Sequence, residues 1–322
     1  LKYGILYKIE IHYVKSLGIL TGGKCMAFKS GFVSIVGRPN VGKSTLLNRF
    51  TGEKIAIMSD KPQTTRNTIK AIDTGEDYQM IFIDTPGIHK PRTKLGDYMV
   101  NVALDTLNEV DLVLFLVEAT DSKPGAGDLY IAEQLKQVKT PVFCLINKID
   151  LVEKEQILPV ISAYKELMEF SQIIPISALE YESAELVKKE IKKVLPEGPK
   201  YFPEDMITDQ PEKVIAAEII REKILQLVSD EVPHGVGVEV ITFKSRDDKD
   251  IVNIQANIYC EKKTHKGILI GKEGSMLKKI GSLARVDIER LLGTKVFLEL
   301  WVKVKDDWRN NDLMLKTLGY KR

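Results

Sequence analysis

The stretch Phe32-Val33-Ser34-Ile35-Val36-Gly37-Arg38-Pro39-Asn40-Val41-Gly42-Lys43-Ser44-Thr45 decides the fold. A short apolar run leads into a glycine-framed turn, and a helix-forming run, 43–50, comes directly after it. Gly37 to Ser44 fits G-x-x-x-x-G-K-[ST], a phosphate-binding loop. Such a loop wraps a polyphosphate with backbone N–H groups, and glycine permits the close approach and the unusual dihedrals. The helix behind it adds unpaired N–H groups and its positive dipole end. Lys43 is placed to reach the β- and γ-phosphates, and the Ser44 hydroxyl to bind Mg²⁺. Arg38, Pro39, Asn40 and Val41 form the arch, and Thr45 continues the helix start.

Outward from this loop, strand and helix patterns alternate, as in an α/β protein with a mostly parallel sheet. Strands are predicted at 32–36, 67–73, 78–84, 112–117, 141–146 and 173–176. Residues 67–84 form a hairpin about Thr74-Gly75-Glu76-Asp77. Helices are predicted at 43–50, 95–110, 155–170 and 183–195, with no element assigned between 118 and 140. Residues 196–211 contain four prolines and little apolar periodicity, and read as a linker. A second unit comes next, in the order α-β-β-α-α-β-α. Val214, Ala217, Ile220, Ile224 and Leu227 mark an amphipathic helix. Residues 251–260 alternate, with Val252, Ile254, Ala256, Ile258 and Cys260 on one face. Helices at 264–270 and 275–292 flank Gly271-Lys272-Glu273-Gly274. A strand at 295–304 and a helix at 306–318 end the chain. Phe297 and Trp301 are expected to pack under that last helix, with stacking of bases as the alternative.

With 322 residues the chain has room for two domains. Its apolar content of 44% and charged content of 29% are ordinary for a globular protein. A net charge of +2 points to no particular partner, but the charge is unevenly spread. Residues 261–322 hold 15 Lys/Arg against 8 Asp/Glu, whereas 211–260 hold 6 against 9. The three cysteines are far apart and lack metal-ligand spacing, as expected of a reducing compartment. Residues 1–25 differ in character from the rest of the chain. The expectation is that the functional protein starts at Met26, with a real extra strand at 9–14 as the rival reading.

Asn147-Lys148-Ile149-Asp150 chooses the base. It stands directly after an apolar strand, at the strand end where open α/β sheets bind ligands. A carboxylate at Asp150 accepts two hydrogen bonds from guanine N1–H and N2–H₂, and adenine would leave it unpaired. Asn147 tethers neighbouring loops, the Lys148 stem covers the ring, and Ser177-Ala178 offers a backbone N–H to guanine O6. Asp84-Thr85-Pro86-Gly87 closes the phosphate end, with Asp84 directed to the Mg²⁺ shell and Gly87 N–H to the γ-phosphate. A threonine of 61–66 completes the Mg²⁺ site in the triphosphate state. Thr65 is the first choice and Thr64 the alternative.

In combination, Gly37–Ser44, Asp84–Gly87, Asn147–Asp150 and Ser177-Ala178 resemble the translation-factor class of P-loop GTPases. Thr64-Thr65-Arg66, Phe28–Phe32 and Gly271–Gly274 narrow the resemblance to the Era family, from about Met26 to the end. The resemblance implies a P-loop GTPase domain over 26–195, a linker over 196–210 and a smaller α+β type II KH domain over 211–322. It implies GTP hydrolysis to GDP with Mg²⁺, and binding of 16S rRNA near its 3′ end during assembly of the 30S ribosomal subunit. It also implies a cytoplasmic monomer, with peripheral association at the inner face of the cell membrane as a further option. Ile88 stands where Ras-like proteins have a water-orienting glutamine, so hydrolysis should be slow without help. His89 is a weak alternative. Asn40 matches relatives in which an asparagine helps hold K⁺, which would supply charge in place of an arginine finger. In the KH-like unit the RNA-binding candidates are Lys266, Gly267, Ile270, Gly271, Lys272, Glu273, Gly274, Lys278 and Lys279, and the glycines Gly271 and Gly274 let a nucleic-acid backbone approach a helix N-terminus. The rival reading is a membrane-peripheral regulatory GTPase acting through a protein effector. An ATP-dependent enzyme conflicts with Asn147–Asp150.

Overall fold

The structure is a computed structural model that describes residues 27–59, 61, 64–88, 91, 93–228, 232, 235–246 and 249–320. The leader 1–25, Met26 and His89 lie outside the described residues.

The first unit is a six-stranded sheet in the order β2-β3-β1-β4-β5-β6. Its strands are β1 (Lys29–Gly37), β2 (Ile69–Thr74), β3 (Tyr78–Asp84), β4 (Leu112–Glu118), β5 (Val142–Asn147) and β6 (Gln172–Pro175). Only β2 runs antiparallel, paired with β3 across the short turn. The centre is parallel, with Val33 opposite both Phe82 and Leu112. Every residue from Leu112 to Val117 is fully buried, as a strand covered on both faces requires. The helices are α1 (Lys43–Thr51), α2 (Lys94–Thr106), α3 (Ala126–Leu135), α4 (Lys154–Lys165) and α5 (Tyr181–Val194). They leave one apolar core on each face of the sheet.

The helix α3 corrects the sequence reading, which assigned nothing there. Gly125 and Gly127 frame its start and mask the helical period, while Ile131, Ala132 and Leu135 bury its inner face. Gly127 lets the Arg38 side chain pass close by, since a Cβ there would stand 2.6 Å from Arg38 Cδ. The proline-rich segment is tied along β1, β2 and β3. Gln79 is fully buried and holds Tyr201 N–H (2.7 Å), Phe202 N–H and Phe202 O, and Thr208 donates to Lys70 O (2.7 Å).

The second unit has a three-stranded sheet, β7 (Gly237–Arg246), β8 (Lys249–Cys260) and β9 (Lys295–Val304). Strands β7 and β8 are antiparallel, β8 and β9 parallel. Helices α6 (Glu212–Leu227), α7 (Lys263–Ile270) and α8 (Ser275–Leu292) build the core with Ile254, Ala256 and Ile258.

Two expectations for this unit need correction. The chain end is not one helix: Trp308–Asn310 is a 3-10 turn, and α9 (Asp312–Thr317) starts afresh where Asn311 Oδ1 accepts the Met314 N–H (3.1 Å). Trp308 and Tyr320, not Phe297 or Trp301, are the aromatics buried there, since Phe297 and Trp301 are 48% and 43% exposed on the outer sheet face. Trp308 joins Leu95 and Met99 of α2 with Leu315 and Tyr320, a cluster that spans the two units. Among the described residues no helix is long and apolar enough to cross a membrane.

Candidate nucleotide site and nucleic-acid groove

The phosphate loop connects β1 to α1. Gly42 has φ +103°, and a Cβ there would lie 2.3 Å from Asn147 Nδ2, so both backbone and packing demand glycine. Asn40 also takes a left-handed φ of 69° and is exposed. Lys43 is buried, and its ammonium donates to Gly37 O (3.1 Å) and Arg38 O (2.8 Å). Burial lowers its pKa to about 8 against the opposing pull of Asp84. The Arg38 side chain is engaged by Asp128 (2.8 Å) and Asp121, leaving its backbone to the loop. Asp128 also accepts from Tyr164 Oη (3.0 Å), which braces the loop against α3 and α4.

Beneath the loop three oxygens converge. Asp84 Oδ2 accepts from Ser44 Oγ (2.8 Å) and Thr65 Oγ1 (3.1 Å), and the two hydroxyls are 3.1 Å apart. Asp84 is fully buried, its pKa is raised by that burial, and its Oδ1 has no hydrogen-bond partner. A buried carboxylate with one orphaned oxygen beside two hydroxyls suits a small hard cation that also takes phosphate oxygens, so the residues fit Mg²⁺. No group of three His, Cys, Asp or Glu side chains among the described residues could hold another metal. Thr65 is the threonine at this cluster, while Thr64 Oγ1 turns to Lys61 O (2.6 Å). Thr85 is buried and donates to Ile35 O (2.8 Å). Pro86 is buried too, and Gly87 comes close enough to Pro39 that a Cβ would be 2.9 Å from its nitrogen. Ile88 is buried in the core and sends its N–H to Gly37 O (3.3 Å), so its side chain orients no water. Ile57, Met58 and Ser59 also line this cavity, of about 80 Å³. Sequence reasoning missed them because they carry no motif.

At the base end Asn147 is buried, donates to Val41 O (2.7 Å) and accepts the Ala178 N–H (2.8 Å). One side chain thus ties the phosphate loop to Ser177-Ala178. The Ala178 N–H expected for guanine O6 is engaged by Asn147, and the Ser177 N–H by Ser183 Oγ (3.2 Å), so a base oxygen would share or displace these bonds. Lys148 has a left-handed φ of 66° and pairs with Glu118. Ile149, Asp150 and Leu151 make a 3-10 turn that leaves Asp150 exposed.

In the second unit Gly271 and Gly274 take φ +73° and +78° between α7 and α8, with Glu273 left-handed at φ 51°. A Cβ on Gly271 would meet Met276 N at 2.8 Å. Lys266, Gly267, Lys272 and Glu273 are exposed, and Ile270 is half-buried. Beyond the loop lies a groove of about 380 Å³ lined by Gly274, Leu277, Lys278, Gly281, Ser282, Arg285, Leu298 and Leu300. Lys279 is exposed but one helical step off this lining. Arg285 and the apolar floor were missed from sequence. The spacing Lys278, Ser282, Arg285 along one helix face would have found the arginine.

A sheet whose first strand feeds a phosphate loop and whose fifth ends in a base-reading turn is the architecture of P-loop GTPases. The unit behind it has the KH arrangement. Family descriptions agree: "50S ribosome-binding GTPase" matches residues 32–148 and "KH domain" matches 231–309. GTPase Era of Ruminiclostridium cellulolyticum is 67% identical over 296 residues, 92% of this chain and 99% of that protein. GTPase Era of Alkaliphilus metalliredigens is 61% identical over 92% of this chain and all of its own. Among solved structures, an Aquifex aeolicus Era variant bound to GDP·AlF4⁻ has a TM-score of 0.87 at 42% identity, covering 92% of this chain and 100% of its own. An Era in complex with MgGDPNP and nucleotides 1506–1542 of 16S ribosomal RNA matches equally well, with the same TM-score, identity and coverage. The chain belongs to the Era family of GTPases.

Proposed function

We propose that this GTPase binds the 3′-terminal part of 16S rRNA in its C-terminal groove and assists maturation of the 30S subunit. The carrying observation is the groove beside Gly271–Gly274. It combines Lys278 and Arg285 with an apolar floor of Leu277, Leu298 and Leu300, the mix that single-stranded RNA needs for its phosphates and bases. The Era solved with a 16S fragment supports the choice of RNA.

At the nucleotide, Lys43 meets the β- and γ-phosphates, and the N–H groups of residues 38–45 cradle them. Ser44, Asp84 and, in the triphosphate state, Thr65 hold Mg²⁺. When bound, Mg²⁺ neutralises charge on the β- and γ-oxygens. Gly87 N–H reads the γ-phosphate. Asp150 pairs with guanine, Lys148 covers its face, Asn147 with Ile149 sets the turn, and Ser177-Ala178 faces O6. Thr85, Pro86 and Ile88 shape the wall. Because Ile88 cannot orient water, basal turnover is slow. Asn40 contributes to a K⁺ site, so hydrolysis runs faster in K⁺ than in Na⁺ at matched ionic strength; equal rates would remove the ion. The work is placed in the cytoplasm, as a monomer, with any membrane association peripheral.

The test replaces both Lys272 and Glu273 with aspartate. Single-stranded 16S 3′-end RNA should no longer bind in a filter or anisotropy assay, while GTP turnover stays within about twofold. Retained RNA binding would move the contact away from this loop.

A further inference from the structure

The segment that carries Thr65 is held by the second unit. Helix α6 runs beside it and grips it repeatedly. Lys54 Nζ meets Glu222 (2.6 Å) and Asp287 (3.0 Å), Met58 N–H donates to Glu222 Oε1 (2.9 Å), and Arg221 Nη2 donates to Thr64 O. On the other side of Thr65, Arg66 Nη1 donates to Val236 O (2.7 Å), and its guanidinium lies 5.6 Å from the Trp308 ring centre and 5.8 Å from that of Tyr320. Both guanidiniums are almost wholly buried, Arg66 at 1% and Arg221 at 0% exposure. Arg221 also pairs with Glu218 of its own helix (3.1 Å from Nε), and a planar guanidinium enclosed against fixed acceptors sets a geometry that an exposed pair does not.

We propose that Arg221 and Arg66 are positioning residues for GTP hydrolysis: from either side they fix the peptides flanking Thr65, so that Thr65 Oγ1 faces Asp84 and Ser44 only while the KH unit is docked. The nucleotide site is then completed by the second unit, although the residues lining the phosphate-loop cavity all belong to the first. The arrangement acts on the triphosphate state alone, because Thr65 contributes there and not to GDP. Docking that favours GTP must be favoured by GTP in return, by the same factor. The proposal rests on the reading of Thr65 as a magnesium ligand.

The test uses the full chain and equilibrium titration with a fluorescent non-hydrolysable GTP analogue and with fluorescent GDP, in Mg²⁺. Arg221→Met keeps the buried volume and removes the donor. Its affinity for the analogue should fall roughly tenfold, the scale of one charge-assisted hydrogen bond, with GDP affinity within about twofold. Arg221→Lys, which can still donate to Thr64 O, should recover most of the loss. Arg66→Lys keeps the charge but loses the planar stack and should shift the ratio in the same direction by a smaller factor. A merely structural role would weaken both nucleotides together, and an unchanged analogue-to-GDP ratio in Arg221→Met and Arg66→Lys overturns the proposal. Thr65→Val separates the two ideas. If it lowers the ratio while the arginine variants do not, positioning fails and the ligand reading stands; if it leaves the ratio unchanged, both fall.

Discussion

The two ends of the nucleotide cradle are assembled in different ways. At the base end the bonds come from within the first unit: Asn147 to Val41 O and Ala178 N–H, and Lys148 to Glu118. At the phosphate end Lys54, Met58, Thr64 and Arg66 are shared with the second unit through Glu222, Arg221, Val236 and Trp308. Helix α2, just beyond Asp84–Gly87, docks there as well, with Leu95 and Met99 in the cluster around Trp308 and Lys94 paired to Asp312 (3.1 Å). The base end is therefore built within the first unit alone. The residues around Thr65 are instead held by both units, which is what a switch needs if its output lies in the KH groove.

Asp150 should separate the two ends by the largest effect. Asp150→Asn exchanges an acceptor for a donor opposite guanine, and two bonds to a carboxylate are worth about 3–6 kcal/mol together. Affinity for GTP and GDP should fall alike by at least about a hundredfold in titration. The melting temperature should hold, because Asp150 is exposed. A loss confined to GTP would mean that base and phosphate ends are not separable.

A milder change tests the internal tie. Asn147→Ala leaves Val41 O and the Ala178 N–H without their partner in a buried place, a cost of about 1–3 kcal/mol. GTP and GDP affinity should drop together by roughly tenfold, with a lower melting temperature by calorimetry. The even loss is the signature that sets it apart from Arg221→Met, which should spare GDP.

The same contrast explains what could be read from sequence. The phosphate loop, Asp84, Asn147 and the Gly271–Gly274 loop are local: each works through a few consecutive residues at a strand end or helix start, so spacing reveals them. Arg66, Arg221 and Glu222 do not. On the α6 pattern of Val214, Ala217, Ile220, Ile224 and Leu227 the charged residues belong to the solvent side. In the fold that side is buried too, against Lys54, Met58 and Thr64, and Arg221 and Glu222 are fully enclosed. A one-faced periodicity cannot report a second face buried by a distant part of the chain. Trp308 was hidden for the same reason: its partners Leu95 and Met99 lie some two hundred residues away.

The smallest effect expected is a pH response found at the phosphate end alone. Burial holds the Lys43 ammonium at a pKa of about 8 in the ligand-free protein, below the ordinary lysine value of 10.5. Between those values the unfolded chain binds more protons than the folded one, so this group makes folding more favourable as pH rises through that window. Nucleotide binding runs the other way. Phosphate oxygens stabilise the ammonium, so the protonated form is the one that binds. A group of pKa about 8 is protonated in roughly a quarter of molecules at pH 8.5, so GDP affinity should be about fourfold weaker there than at pH 7. Lys43→Met should bind more weakly throughout and lose this slope. Asn147→Ala, at the other end, should bind more weakly and keep it. If Lys43→Met keeps the slope, the titrating group is not Lys43; if Asn147→Ala loses it, the pH response is not confined to the phosphate end.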